Sequence, residues 1–273
     1  MNLRIEHAPG LARVLIDRAD KKNAMSLAMW EALPGLVARA VGDPTIRALE
    51  FTAAEPEAAF CAGADIAEML AHKDDAAWLT RNQSAINRAQ HMLTRVSVPT
   101  VAFVNGDCIG GGAGMAMACD IRVAAPSARF GVTPAKLGLV YPLHDVKLLT
   151  DLVGPGQAKR LLYTGKLIDA AEAQRIGLVE EIAESAAPMI GEILAAAPSS
   201  QSAAKAFMRR VLDGACEDDD HSLEVFAKAF SGPDFAEGAS AFVGKRKPDF
   251  SYQRERDSEH EQLPKPPRPE PSE

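Results

Sequence analysis

Apolar and polar positions alternate through residues 3–16 and the alternation breaks at Pro9-Gly10, a pattern that predicts a two-stranded hairpin. Ser26 then stands as an N-cap before an amphipathic run to Val41, with Glu31 on its polar face and Pro34 disturbing its regularity. Residues 47–52 read as a strand, and 76–96 as a helix whose apolar positions include Trp78, Ile86, Met92 and Leu93. The connection at 72–75 before that helix is polar. A β-rich run at 100–104 enters a glycine cluster, followed by small residues at helical spacing, Met115, Ala116, Met117 and Ala118. Helices are predicted at 146–152, 158–163 and 170–176, the last closed by Gly177. A short strand at 178–182 and helices reaching Val243 complete the pattern. Strands and helices interleave over most of the chain, which is an α/β order.

The glycine cluster is the first sign of chemistry. Gly110, Gly111, Gly112 and Gly114 lie between a strand and a helix, so the backbone there can pass very close to another group. The helix behind them directs unsatisfied N–H groups and a partial positive charge at whatever sits in front. Such a turn suits negative charge developing on an oxygen, for example a thioester carbonyl becoming an enolate. It also suits a phosphate. The dinucleotide form of that alternative lacks support: the spacing is not G-x-G-x-x-G, and no acidic residue occurs between Asp120 and Asp145. A P-loop lysine is missing as well.

Three further segments narrow the choice. A-A-F-C-A-G-A-D-I-A-E-M at 58–69, N-G-x-x-x-G-G-G at 105–112 and A-R-F-G-V-T-P-A-K-L-G-L at 128–139 stand in the order seen in the crotonase family, the enoyl-CoA hydratase/isomerase superfamily, which this chain resembles from about residue 3 to 250. R-A-D-K-K-N-A-M at 18–25 and E-G-A-S-A-F-V-G-K-R-K-P at 237–248 extend the likeness. The resemblance implies an α/β fold, a crotonase-like spiral of repeated ββα units over residues 1–195, with a C-terminal helical trimerisation region over 196–250. It implies a coenzyme A thioester as substrate, no other cofactor, and a homotrimer or homohexamer. The matching oxyanion donors are the backbone N–H groups of Ala64 and Gly111. Lys21, Lys22 and Ala24 match positions near the CoA nucleotide, and Ala62, Asp65 and Ile66 match positions around adenine and pantetheine. Phe242 and Lys245 match residues that a neighbouring subunit lends to that site.

The departures from the family pattern are equally specific. Hydratases of the family carry two glutamates at positions that are Gly114 and Pro134 here, and the acid of the dienoyl-isomerase branch falls at Pro142. None of these residues moves a proton. T-P-A-K-L-G-L-V-Y at 133–141 is similar to a pattern of the methylmalonyl-CoA decarboxylase branch, where a substrate carboxylate leaves as carbon dioxide and no carboxylate base is wanted. Thr133, Tyr141 and His144 are therefore the candidate proton-handling residues, the last because an imidazole titrates near neutrality. His144 and Asp145 also fit an ordinary helix start, with Asp145 complementing the macrodipole. The expectation is an acyl-CoA-processing enzyme that stabilises a thioester enolate. A malonyl-type CoA decarboxylase and a catalytically silent CoA-binding subunit are the alternatives.

Composition limits the remaining possibilities. A net charge of −7 over 273 residues argues against general nucleic-acid binding. Cys61, Cys108, Cys119 and Cys216 show no C-x-x-C spacing, so neither a zinc site nor a disulfide framework is expected. No apolar run is long enough for a membrane span, and the first residues lack a signal-peptide layout, which makes the cytoplasm the expected location. Residues 251–273 hold five of the eighteen prolines and few apolar residues, the composition of a disordered tail.

Overall fold

The computed structural model describes residues 2–250; the predicted tail lies outside them. β1 (Leu3–Ala8) and β2 (Leu11–Ile16) form the expected hairpin, paired from Leu3–Ile16 to Ala8–Leu11, with Gly10 in the left-handed region that its turn requires. α1 (Leu27–Val41) begins where Ser26 accepts a hydrogen bond from the Met29 N–H, and buries Trp30, Leu33 and Val37. β3 (Ala48–Ala53) lies parallel to β2. α2 (Ile66–Ala71) and α3 (Ala76–Leu93) follow, capped by the carboxylates of Asp65 and Asp75. The intervening polar segment is tied down by the Asp75 cap and by His72 stacking on Trp78 at 4.8 Å.

From β4 (Thr100–Val104) the chain alternates between two sheets. β4 and β6 (Ile121–Ala124) extend the large sheet, while β5 (Asp107–Ile109) and β7 (Arg129–Gly131) pair in a small one. α4 (Gly111–Ala118) joins β5 to β6. After α5 (Leu143–Thr164), β8 (Ile168–Asp169) closes the small sheet, then α6 (Ala170–Arg175) leads to β9 (Glu181–Ile182) at the edge of the large one. The orders are β1-β2-β3-β4-β6-β9 and β5-β7-β8. Each return to the large sheet advances one strand, which is the expected spiral.

The period-2 rule divides the large sheet's side chains between two cores. Leu49, Phe51, Ala102 and Val104 face the main core with Trp30, while Leu11, Ala48, Val101 and Val123 face Ile190 and Ile193 of α7 (Ala187–Ala195). α8 (Pro198–Leu212), α9 (Asp220–Ser231) and α10 (Pro233–Val243) form the C-terminal helical region.

Three elements differ from their expected bounds by more than one residue. α5 starts at Leu143, directly after Pro142, and runs past 152 to a break at Gly154, whose φ of 72° and ψ of 163° are not helical; Pro155 then opens its second half. The strand expected at 178–182 shrinks to its last two residues because the Leu178 carbonyl accepts from the buried Arg122 side chain instead of a neighbouring strand. α3 ends at Leu93, and Thr94 caps it.

Candidate active site

Two chain segments press together in the middle of the molecule. Cys61 and Cys108 form a parallel bridge, with the Cys61 N–H donating to the Asp107 carbonyl (3.0 Å) and the Ile109 N–H to the Cys61 carbonyl (2.9 Å). Side chains are missing where the segments touch: a Cβ on Gly112 would lie 2.7 Å from Cys61 Cβ, and one on Gly106 3.2 Å from the Ala58 carbonyl carbon. Gly63 is held at φ +97°, where a Cβ would fall 2.9 Å from the Ile109 carbonyl oxygen and 3.2 Å from the Gly111 nitrogen. Only glycine meets both demands there.

This approach brings the Ala64 and Gly111 backbones side by side, Ala64 N lying 3.6 Å from where a Cβ of Gly111 would stand. Gly111 is the first residue of α4, so its N–H has no partner inside the helix. The Ala64 N–H is likewise without an acceptor among the described residues, because the bridge to residue 25 uses its neighbours: Met25 N–H donates to the Gly63 carbonyl and Asp65 N–H to the Met25 carbonyl. Two free N–H groups, one at a helix N-terminus, can together polarise one carbonyl oxygen.

Tyr141 reaches this arrangement from the segment before α5. Its O–H donates to the Gly110 carbonyl at 3.0 Å, and the ring is buried. Burial, with the nearby Asp145 and Cys108, pushes the phenol well above its ordinary range, so it remains a donor. Tyr141 thereby fixes the peptide next to Gly111. Thr133 Oγ1, from the segment after β7, sits 3.9 Å from the place of a Gly110 Cβ. His144 is directed elsewhere: it is half-buried, its ring centroid lies 6.5 Å from that of His91 on α3, and its Nε2 has no partner among the described residues. Burial, then His91 and the cations Arg95, Arg209 and Lys147, hold it below the usual histidine value. The buried thiols are inert, with Cys61 and Cys119 each pushed by burial up to about 12.

Sequence analysis read the neighbouring carboxyl, Asp145, as an ordinary helix-start residue. Asp145 is 2% exposed and lies against Gly114, where a Cβ would stand 3.2 Å from its Cγ and would overlap both Asp145 Oδ1 and Gln90 Nε2. Asp145 Oδ1 and both polar atoms of the fully buried Gln90 lack hydrogen-bond partners among the described residues. Burial pushes the carboxyl up to about 7, against the opposing pull of the Gln90 amide. The only sequence signal was the glycine itself, since a missing side chain inside a helix leaves space for something.

The CoA candidates divide into two groups. Lys21, Lys22 and Ala24 lie on a loop laced to the 58–65 segment: Ala62 N–H donates to the Lys22 carbonyl (3.0 Å), and buried Asn23 donates from Nδ2 to the Ala59 carbonyl (2.7 Å). Arg18 joins both sides, donating to the Ala24 carbonyl and to Asp65 Oδ2, each at 2.8 Å. Desolvation raises the Asp65 carboxyl, but Arg18 and the N–H groups of Glu68 and Ala67 outweigh it and hold the group below the carboxylate range. Asp65 also caps α2, which begins at Ile66. The lysines are exposed and leave their ammonium groups available. Phe242 and Lys245 lie apart, on and just beyond α10, with Phe242 86% exposed. Asn23 and Arg18, which order the loop, lay within the R-A-D-K-K-N-A-M segment without being singled out.

Comparison with known proteins shows which family the chain resembles. A family profile described as enoyl-CoA hydratase/isomerase matches residues 6–253. Crotonyl-CoA hydratase of Syntrophomonas wolfei is 34% identical over 260 residues, covering 91% of this chain and 97% of that protein. Short-chain-enoyl-CoA hydratase of Clostridium acetobutylicum is 32% identical, with 90% and 96% covered. Among crystal structures, an enoyl-CoA hydratase/isomerase family protein from Hyphomonas neptunium superposes with a TM-score of 0.88 at 36% identity, over 93% of this chain and 98% of that one. Matched by that profile over most of its length and sharing the spiral fold of its relatives, the chain belongs to the enoyl-CoA hydratase/isomerase family.

Proposed function

We propose that the protein binds an acyl-CoA with the thioester carbonyl between the Ala64 and Gly111 N–H groups and turns it over through the thioester enolate. The observation that carries this reading is the pair of adjacent backbone donors, both without acceptors among the described residues, held by Gly63 and Gly110. As negative charge moves onto the carbonyl oxygen, these donors strengthen their hold without rearranging. The nucleotide of CoA lies by Lys21, Lys22 and Ala24, where ammonium groups serve as point charges for phosphate. Pantetheine passes Ala62, Asp65 and Ile66. A neighbouring subunit of a homotrimer or homohexamer supplies Phe242 and Lys245, both exposed on this chain. No metal or further cofactor enters this scheme.

A hydratase named for crotonyl-CoA among the relatives makes a short enoyl thioester the first substrate to try. The second reading, decarboxylation of a malonyl-type thioester, draws on residues 114 and 134 being Gly and Pro, and on the Thr133 hydroxyl beside Gly110. Incubation with crotonyl-CoA and with methylmalonyl-CoA, followed by product mass, separates them. The Gly111→Pro variant removes one donor at a first helical position, where a proline ring is tolerated. It should lower turnover by about 10²–10³-fold or more, because the ring also projects into the place of the carbonyl oxygen; unchanged turnover would sink the oxyanion assignment. Binding of both thioesters with no turnover of either is what a catalytically silent CoA-binding subunit would give.

A further inference from the structure

Gly114 stands one turn along α4 from the oxyanion donor Gly111 and on the same face of the helix. Helical Cα–Cβ bonds tilt toward the N-terminus, so the place left by its missing side chain points back toward Gly111. That place is occupied: Asp145 Oδ1 from α5 and Gln90 Nε2 from α3 converge on it. Both side chains are more than nine-tenths buried, and apart from the pull of the Gln90 amide on the carboxyl, Asp145 Oδ1, Gln90 Nε2 and Gln90 Oε1 have no hydrogen bond of ordinary geometry among the described residues. Buried polar atoms left unpaired in this way are costly, and they commonly mark a place that a ligand or a reaction completes.

We propose that Asp145 is the group that moves the α-proton of the bound acyl-CoA, a catalytic carboxyl delivered from α5 into the gap at Gly114, with Gln90 as its positioning residue. The inference rests on the thioester site proposed above. In the forward step the Asp145 carboxylate takes a proton from the α-carbon. The C–H electron pair forms the Cα–C double bond, and the carbonyl π pair moves to the oxygen held by Ala64 and Gly111. Return of the proton to the α-carbon, or its delivery to another carbon of an unsaturated chain, regenerates the carboxylate. The surroundings suit a proton carrier. Gln90 and Gly114 bring no charge, Tyr141 is neutral, and His144 on the same helix faces His91.

The test is hydrogen exchange at the α-carbon of butyryl-CoA in D2O, followed by mass spectrometry, with the dissociation constant of butyryl-CoA measured alongside. The wild type should exchange, and Asp145→Asn should be slower by about 10²-fold or more with binding changed by no more than about twofold. Asp145→Glu keeps a carboxyl and should retain part of the rate. Gly114→Ala leaves Asp145 in the sequence but puts a methyl group in its place, so it should also slow exchange; this variant serves if Asp145→Asn does not fold. The wild-type rate should rise with pH through about 7, and that inflection should vanish in Asp145→Asn. Exchange by Asp145→Asn at nearly the wild-type rate overturns the proposal, and so does a wild type that binds butyryl-CoA without exchanging it. Failure to bind butyryl-CoA at all would instead overturn the acyl-CoA reading.

Discussion

A carboxyl raised by burial from an ordinary 3.8 to about 7 works against the fold that buries it. Below pH 4 Asp145 is neutral in both folded and unfolded chains and contributes no pH dependence. Between pH 4 and 7 only the unfolded chain releases the proton, so stability falls as pH rises; above 7 both states are ionised and the loss levels off. The span corresponds to roughly 4 kcal/mol. Asp145→Asn should therefore melt higher than the wild type at pH 8, by several degrees at this chain length, with the difference shrinking toward pH 4. Melting curves at both pH values check this, and a constant difference would place the cost outside the ionisation. Greater stability with slower exchange would mark the conflict between packing and function expected of an active-site group. In the sequence Asp145 looked like a helix-dipole partner, because its real neighbours, Gln90 and Gly114, are far away in the chain.

Among the elements, the oxyanion turn depends on two segments lying closer than side chains allow. Gly112→Ala forces a methyl group against Cys61, and neither backbone can yield without breaking the bridge between residues 61 and 108. The substitution should cost about 1–3 kcal/mol, read as a lower denaturant midpoint, and should depress acyl-CoA turnover as well. Gly156→Ala, with nothing within 4 Å among the described residues, is the neutral control. This architecture was partly legible beforehand. The 3–16 hairpin, the Ser26 cap, β4 and the glycine turn all follow local rules, and each appears where those rules put it. What local rules missed depended on distant partners. The Leu178 carbonyl belongs to Arg122 and not to a ladder, and α5 starts at Leu143, ahead of its expected bound, with no side-chain cap to mark the start. The Ala64 and Gly111 donors were placed by family resemblance; the spacing alone left a phosphate site open.

For the whole molecule, the C-terminal helices leave much apolar surface uncovered. Met208 and Val211 on α8, Phe226 and Phe230 on α9, and Phe235 and Phe242 on α10 are all at least half exposed. Phe230 stacks edge-on with both Phe226 and Phe235, 5.4 Å between centroids, so the rings form one continuous cluster. Apolar area of this kind commonly marks an interface. In the proposed homotrimer or homohexamer it lies between subunits, and Phe226→Glu with Phe230→Glu should lower the mass seen by sedimentation while each chain stays folded. An unchanged mass would separate this surface from assembly. Over longer spans of sequence change, the division of labour between α4 and α5 has another effect. The Asp145 carboxyl and the gap that admits it are encoded at separate positions, so neither can drift alone. Glutamate at 114 would collide with Asp145, and glycine at 145 would leave a void beside an unoccupied Gln90. Changing both together could carry an acid from one helix to the other. The two positions thus form an epistatic pair, through which descendants of one scaffold could relocate a proton carrier while the main-chain oxyanion site stays as it is.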